Sequence, residues 1–140
     1  MQLMFFRSLW GMTEASQLAA LERIRAGGYD GVEMRAPEAA HERQELRTQL
    51  AALGLDLIVQ QHTSGDTPAA HARSFELLYR RAAELRPRFV NSHTGKDYYT
   101  SAENAAILRR AQELEASWGY RSRMKSTVGG QPFLRLPPKR

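Results

Sequence analysis

Cysteine is absent from the 140 residues, which excludes disulfide staples and thiolate metal sites and fits a reducing compartment, the cytoplasm. Long apolar runs are absent as well. Leu3, Met4, Phe5 and Phe6 form a four-residue stretch too short for a signal-peptide core, and no segment approaches membrane-spanning length. A soluble chain with no membrane partner is the expectation. Acidic residues are missing from one region only. Residues 121–140 hold Arg121, Arg123, Lys125, Arg135, Lys139 and Arg140 and no Asp or Glu. The remaining 14 basic and 15 acidic residues give residues 1–120 a net charge of −1, so the overall +5 belongs to the tail. A near-neutral body argues against nucleic acid as a partner.

The 42% hydrophobic content is enough for a core, and one domain is expected. Its periodicity alternates between two and about 3.6 along the chain. Residues 2–9 read as a strand, Thr13 and Glu14 open a helix carrying Leu18, Leu21 and Ile24, and Gly27-Gly28 closes it. Val32 to Arg35 reads as a second strand. Pro37 starts a second helix with Leu46, Leu50 and Leu53 on one face and Gly54 at its end. Leu55 to His62 is a third strand, followed by a helix that Thr67-Pro68 caps and Pro87 closes. Phe89 to His93 is a fourth strand and Ser101 through Trp118 a fourth helix.

Four strand-helix units imply parallel strands with right-handed crossovers in an α/β fold. A barrel or a doubly wound sheet fits that alternation, and the placement of polarity favours the barrel. Gln60 and His62 share one face of the third strand, Asn91 and His93 one face of the fourth, and barrel chemistry sits at the carboxyl ends of strands. A complete (β/α)8 barrel needs on the order of 250 residues, so residues 1–119 are expected to form half of one. Residues 120–140, with three prolines, two adjacent glycines and no periodicity, are expected to be an irregular basic tail.

The motifs Gln61-His62-Thr63-Ser64-Gly65 and Asn91-Ser92-His93-Thr94-Gly95-Lys96-Asp97-Tyr98-Tyr99 carry a resemblance, supported by Phe6-Arg7-Ser8-Leu9-Trp10-Gly11 and Gly28-Tyr29-Asp30-Gly31-Val32-Glu33. Over residues 2–119 the chain resembles the amino-terminal half of the sugar phosphate isomerase/epimerase family, the xylose isomerase-like TIM barrels that include AP endonuclease relatives. The resemblance implies a sugar substrate, a divalent metal (Mn, Zn or Mg) and proton transfer through an enediolate. The family continues into a fifth strand ending in a His-Glu-Thr-His-Arg-Gly-like motif that is missing here. Read from the third base of each codon, Met124 followed by Lys125 forces a glutamate codon, and Arg123 permits a histidine before it. A one-nucleotide frameshift near codon 119 is therefore the hypothesis for the tail.

His62 and His93 are candidate metal ligands, since neutral imidazole suits divalent transition metals and neighbouring strands bring the rings together; contact with substrate is the alternative. Glu33, a carboxylate inside a strand, is a candidate base or partner to an imidazole, against a structural glutamate capping a loop. Lys96 is placed to hold a phosphate or enediolate oxygen, against a solvated loop lysine. Gln60, Asn91 and Asp97 are candidate substrate contacts, with loop capping or barrel hydrogen bonding as the plainer roles. Trp10 either stacks on a sugar ring or plugs the barrel. His41 and His71 are read as surface or packing groups. The competing function is a non-catalytic, truncated product that self-associates through exposed sheet edges, with AP endonuclease-like hydrolysis as a further alternative.

Overall fold

The computed structural model describes residues 3–118 together with the backbone of residues 122–126. Strands β1 (Phe6–Ser8), β2 (Gly31–Met34), β3 (Asp56–His62), β4 (Phe89–Thr94) and β5 (Ser122–Ser126) form one sheet, in the order β1-β2-β3-β4-β5. Every pairing is parallel. Helices α1 (Gln17–Ala26), α2 (Ala40–Leu53) and α3 (Pro68–Glu84) join β1 to β2, β2 to β3 and β3 to β4, and α4 (Ser101–Trp118) follows β4. A doubly wound sheet reverses its strand order at a switch point, whereas this order never reverses. The winding is that of a barrel, and about half of one is present.

Local chemistry explains the helix boundaries, including two that begin later than the sequence pattern implies. Ser16 rather than Thr13 caps α1, its hydroxyl accepting from Ala19 N at 3.1 Å, while Glu14 in the preceding loop forms an ion pair with Arg23. Helix α2 begins at Ala40 rather than at Pro37. The Arg43 side chain reaches back to the carbonyls of Pro37 (3.0 Å) and Glu38 (2.6 Å) and holds them in the loop. Thr67 caps α3 as expected, accepting from Ala70 N at 3.2 Å with Pro68 in the first turn. Gly54 ends α2 in the left-handed region, with φ 61°.

The core lies between the helices and one face of the sheet. Leu21, Ile24, Leu46, Leu50, Phe75, Tyr79, Ala82, Ala111 and Leu114 pack there with Val32, Leu57, Val59 and Val90. Burial of each large apolar side chain contributes about 1.5–3 kcal/mol. With alternate strand residues so committed, their neighbours Glu33, Gln60, His62, Asn91 and His93 fall on the opposite face, which would line the inside of a closed barrel. At Gly31 a side chain has no room: a Cβ would lie 2.3 Å from the Asp56 carbonyl and 2.4 Å from the Phe6 ring.

Two sequence expectations are corrected. Strand β1 spans Phe6–Ser8 rather than residues 2–9, because its pairing with β2 starts only at Gly31. Residues 122–126, read as irregular tail, form β5 in register with β4 from Val90↔Ser122 to Thr94↔Ser126. Ser-Arg-Met-Lys-Ser carries no apolar alternation to announce a strand. The exposed N–H and C=O groups of the β4 edge supply the pairing that propensity does not. Residues 119–121 and 127–140 lie outside the described residues.

Candidate functional site at the strand ends

His62 and His93 are partners in the β3–β4 register, as are Gln60 and Asn91 one pleat earlier. The two imidazoles stack, with centroids 4.5 Å apart and planes inclined by 20°. The shared phase expected from sequence therefore places all four side chains on one face. Partial burial, then the neighbouring His93 and then the Arg35 guanidinium hold the His62 pKa below the ordinary imidazole value. Arg35, just beyond β2, places an NH2 group 3.4 Å from His62 Nδ1. Sequence reasoning missed Arg35, although it lies two residues after Glu33 and so in the same strand phase.

Glu33 and Asn91 meet across β3: Asn91 Nδ2 donates to Glu33 Oε1 at 2.7 Å. The Asn91 Oδ1 atom is buried without a partner among the described residues, leaving an acceptor on that face. The other candidates are placed elsewhere. Asp97 is exposed and its Oδ1 accepts from Tyr98 N at 3.1 Å, a loop-capping contact. Lys96 is half-buried and its positive charge acts on His71. Trp10 is 90% exposed, so it plugs nothing among the described residues.

Behind the histidine pair, on the helix side of the sheet, the threonines of the two His-Thr motifs form a second polar layer. Thr63 Oγ1 lies 2.8 Å from Thr94 Oγ1, 2.9 Å from His71 Nδ1 and 3.3 Å from the His93 carbonyl. Thr63 N donates to that same carbonyl at 3.0 Å. His71 is 1% exposed and meets the Tyr99 ring edge-on at 5.6 Å, so it is a packing group of the interior. Burial first, and then the Lys96 charge, lower its pKa, against smaller opposing effects of a Gly65 backbone hydrogen bond and of Asp66. The repetition of Thr after His in both motifs was the available sign of this layer.

Among the described residues, His62 and His93 are the two imidazoles that could share an ion. Among the described residues no group of three or more His, Cys, Asp or Glu side chains could hold an ion. The contact of Arg35 with His62 sets a guanidinium where a dication would sit badly. A metal-bound imidazole normally donates its other N–H to a carboxylate or carbonyl, whereas His62 Nδ1 faces a group that can only donate.

No protein-family model matches the sequence, and no curated protein matches it. Solved structures share its fold at low identity. A D-tagatose 3-epimerase-like protein aligns with a TM-score of 0.69 and 16% identity, covering 95% of this chain and 55% of that one. A sugar phosphate isomerase/epimerase from Parabacteroides distasonis gives 0.65 and 12%, covering 87% and 50%. Endonuclease IV from Thermus thermophilus gives 0.58 and 18%, covering 91% and 52%. The chain thus spans about half the length of the structures it matches, and what it shares with them is the fold of parallel strands alternating with helices. Among the described residues no helix is long and apolar enough to cross a membrane.

Proposed function

We propose that this chain, with the fold of half a xylose isomerase-like barrel, supplies the amino-terminal half of a cytoplasmic sugar or sugar-phosphate isomerase or epimerase site. The observation that carries this reading is the Glu33–Asn91 hydrogen bond on the same face as the stacked His62–His93 pair. An enediolate route needs a carboxylate to take a proton from the carbon beside the carbonyl and donors to hold the two oxygens as charge develops. Glu33 is the base in this scheme, positioned by the Asn91 amide. His62, His93 and Gln60 contact the substrate oxygens, Trp10 covers the sugar ring, and Lys96 and Asp97 act from the β4–α4 loop. No step is routed through a metal.

The test is solvent exchange. The full chain is incubated with a ketohexose and, separately, a ketose phosphate in deuterated water, and label at the carbon next to the carbonyl is followed by NMR. Label gained with the native chain and lost in Glu33→Gln supports the reading; no label, together with no saturable binding of either sugar, rejects it. A second reading rests on β1 and β5, the outer strands of the sheet, whose edges invite pairing between copies. Concentration-dependent self-association without sugar binding would favour that non-catalytic product. Hydrolysis at abasic DNA is disfavoured by the net charge of −1 over residues 1–120.

A further inference from the structure

Each histidine of the mouth has a threonine directly after it, and successive side chains of an extended strand point to opposite faces. The two pairs therefore stand back to back. His62 and His93 are register partners with their rings stacked at 4.5 Å, and on the helix side of the sheet Thr63 Oγ1 meets Thr94 Oγ1 at 2.8 Å. Thr63 also holds the His93 peptide, its amide donating to the His93 carbonyl at 3.0 Å and its hydroxyl lying 3.3 Å from the same oxygen. His71, carried by α3, ties that hydroxyl to the helix layer at 2.9 Å.

The pairing of β3 with β4 ends at this point. Strand β3 stops at His62, and the amide of Ser64 already turns away to Ser74 Oγ at 3.1 Å. A strand end is the part of a ladder that opens most easily, and an exposed imidazole such as His62 has several rotamers open to it. A ring stack there needs a fixed spacing between two backbones, which a bond between the very next side chains supplies. Thr94 is 4% exposed and His71 1%, so water competes poorly for these hydrogen bonds. We propose that Thr63 and Thr94, anchored by His71, are positioning residues whose hydroxyl link sets the spacing of the His62–His93 pair. They act through the histidines, from the opposite face of the sheet. The inference deepens the sugar-site reading and rests on it only for the use to which the paired imidazoles are put.

The experiment uses the full chain without sugar, at one fixed pH above the imidazole range, and reads the nuclear Overhauser effect between the His62 and His93 rings. Thr63→Val is expected to lose it and Thr63→Ser to keep it, since serine retains the hydroxyl. Thr94→Val cuts the hydroxyl link but leaves the bonds of Thr63 to His71 and to the His93 carbonyl. It is expected to lose the ring contact as well, and it decides the matter should Thr63→Val fail to fold. Val32→Ala is the control, a cavity in the core on β2 that destabilises the chain outside the polar layer and is expected to keep the ring contact. Four results overturn the proposal: no ring contact in the native chain, ring contact kept in the valine variants, its loss in Thr63→Ser, or its equal loss in Val32→Ala. The two readings fail separately. Ring contact that depends on the hydroxyls, without solvent exchange into a ketose, keeps the positioning and removes the isomerase reading; exchange with a ring contact indifferent to the hydroxyls does the reverse.

Discussion

Replacing Thr63 by Val removes one hydroxyl while nearly keeping the side-chain volume, which isolates the polar layer behind the histidines. In the native chain that hydroxyl meets His71 Nδ1 at 2.9 Å, Thr94 Oγ1 at 2.8 Å and the His93 carbonyl at 3.3 Å. The carbonyl keeps its bond from Thr63 N, so strand pairing survives. His71 and Thr94, 1% and 4% exposed, are left without that partner. A lost neutral hydrogen bond costs about 1 kcal/mol, and a buried polar group stranded by the change about 1–3 kcal/mol. Because Thr63 itself is only half-buried, we expect a loss of about 2–3 kcal/mol, read as a lower urea midpoint at unchanged slope. Thr63→Ser keeps the hydroxyl and is expected to recover most of it. A loss below about 0.5 kcal/mol, or a Ser variant no better than Val, would refute the reasoning and make the layer incidental.

Gly31→Ala drives a methyl group to 2.3 Å from the Asp56 carbonyl in the β2–β3 ladder, and a destabilisation of about 2–3 kcal/mol in urea melts is expected. Arg43→Met keeps the aliphatic stem but abandons Glu84 and the carbonyls of Pro37 and Glu38; a loss of about 1–3 kcal/mol is expected, with protease sensitivity rising in the β2–α2 loop. Burial and neighbouring cations lower the pKa of His62 and His71, so the unfolded chain takes up protons near pH 6.5 before the folded one does. Stability should be flat above that value and fall as pH drops from it toward the lowered folded values, and His71→Gln should flatten the fall measured by urea midpoints. Sequencing the gene across codon 119 is expected to find a shifted frame that reads His-Glu and stays open. A closed shifted frame would end the hypothesis.

The parts of this fold legible in the sequence are those fixed by neighbours along the chain. The switch between two-residue and helical periods located all four strand-helix units. The two-residue phase of Gln60, His62, Asn91 and His93 sufficed to put them on one face, because β3 and β4 are consecutive and parallel and their motifs end at the same level. What escaped depends on partners distant in sequence. The start of α2 is set by Arg43 holding carbonyls of the preceding loop, and nothing in the Pro37 signal announces that. Strand β5 exists through the β4 edge and not through its own composition. The packing role open to His71 is legible in its helical spacing with Phe75 and Ala82, but its partner Thr63, arriving from β3, is not. The Arg35–His62 contact is the most consequential case. Histidine type and spacing alone do not show what stands beside each ring nitrogen, and at His62 Nδ1 that neighbour is a guanidinium from just past the preceding strand.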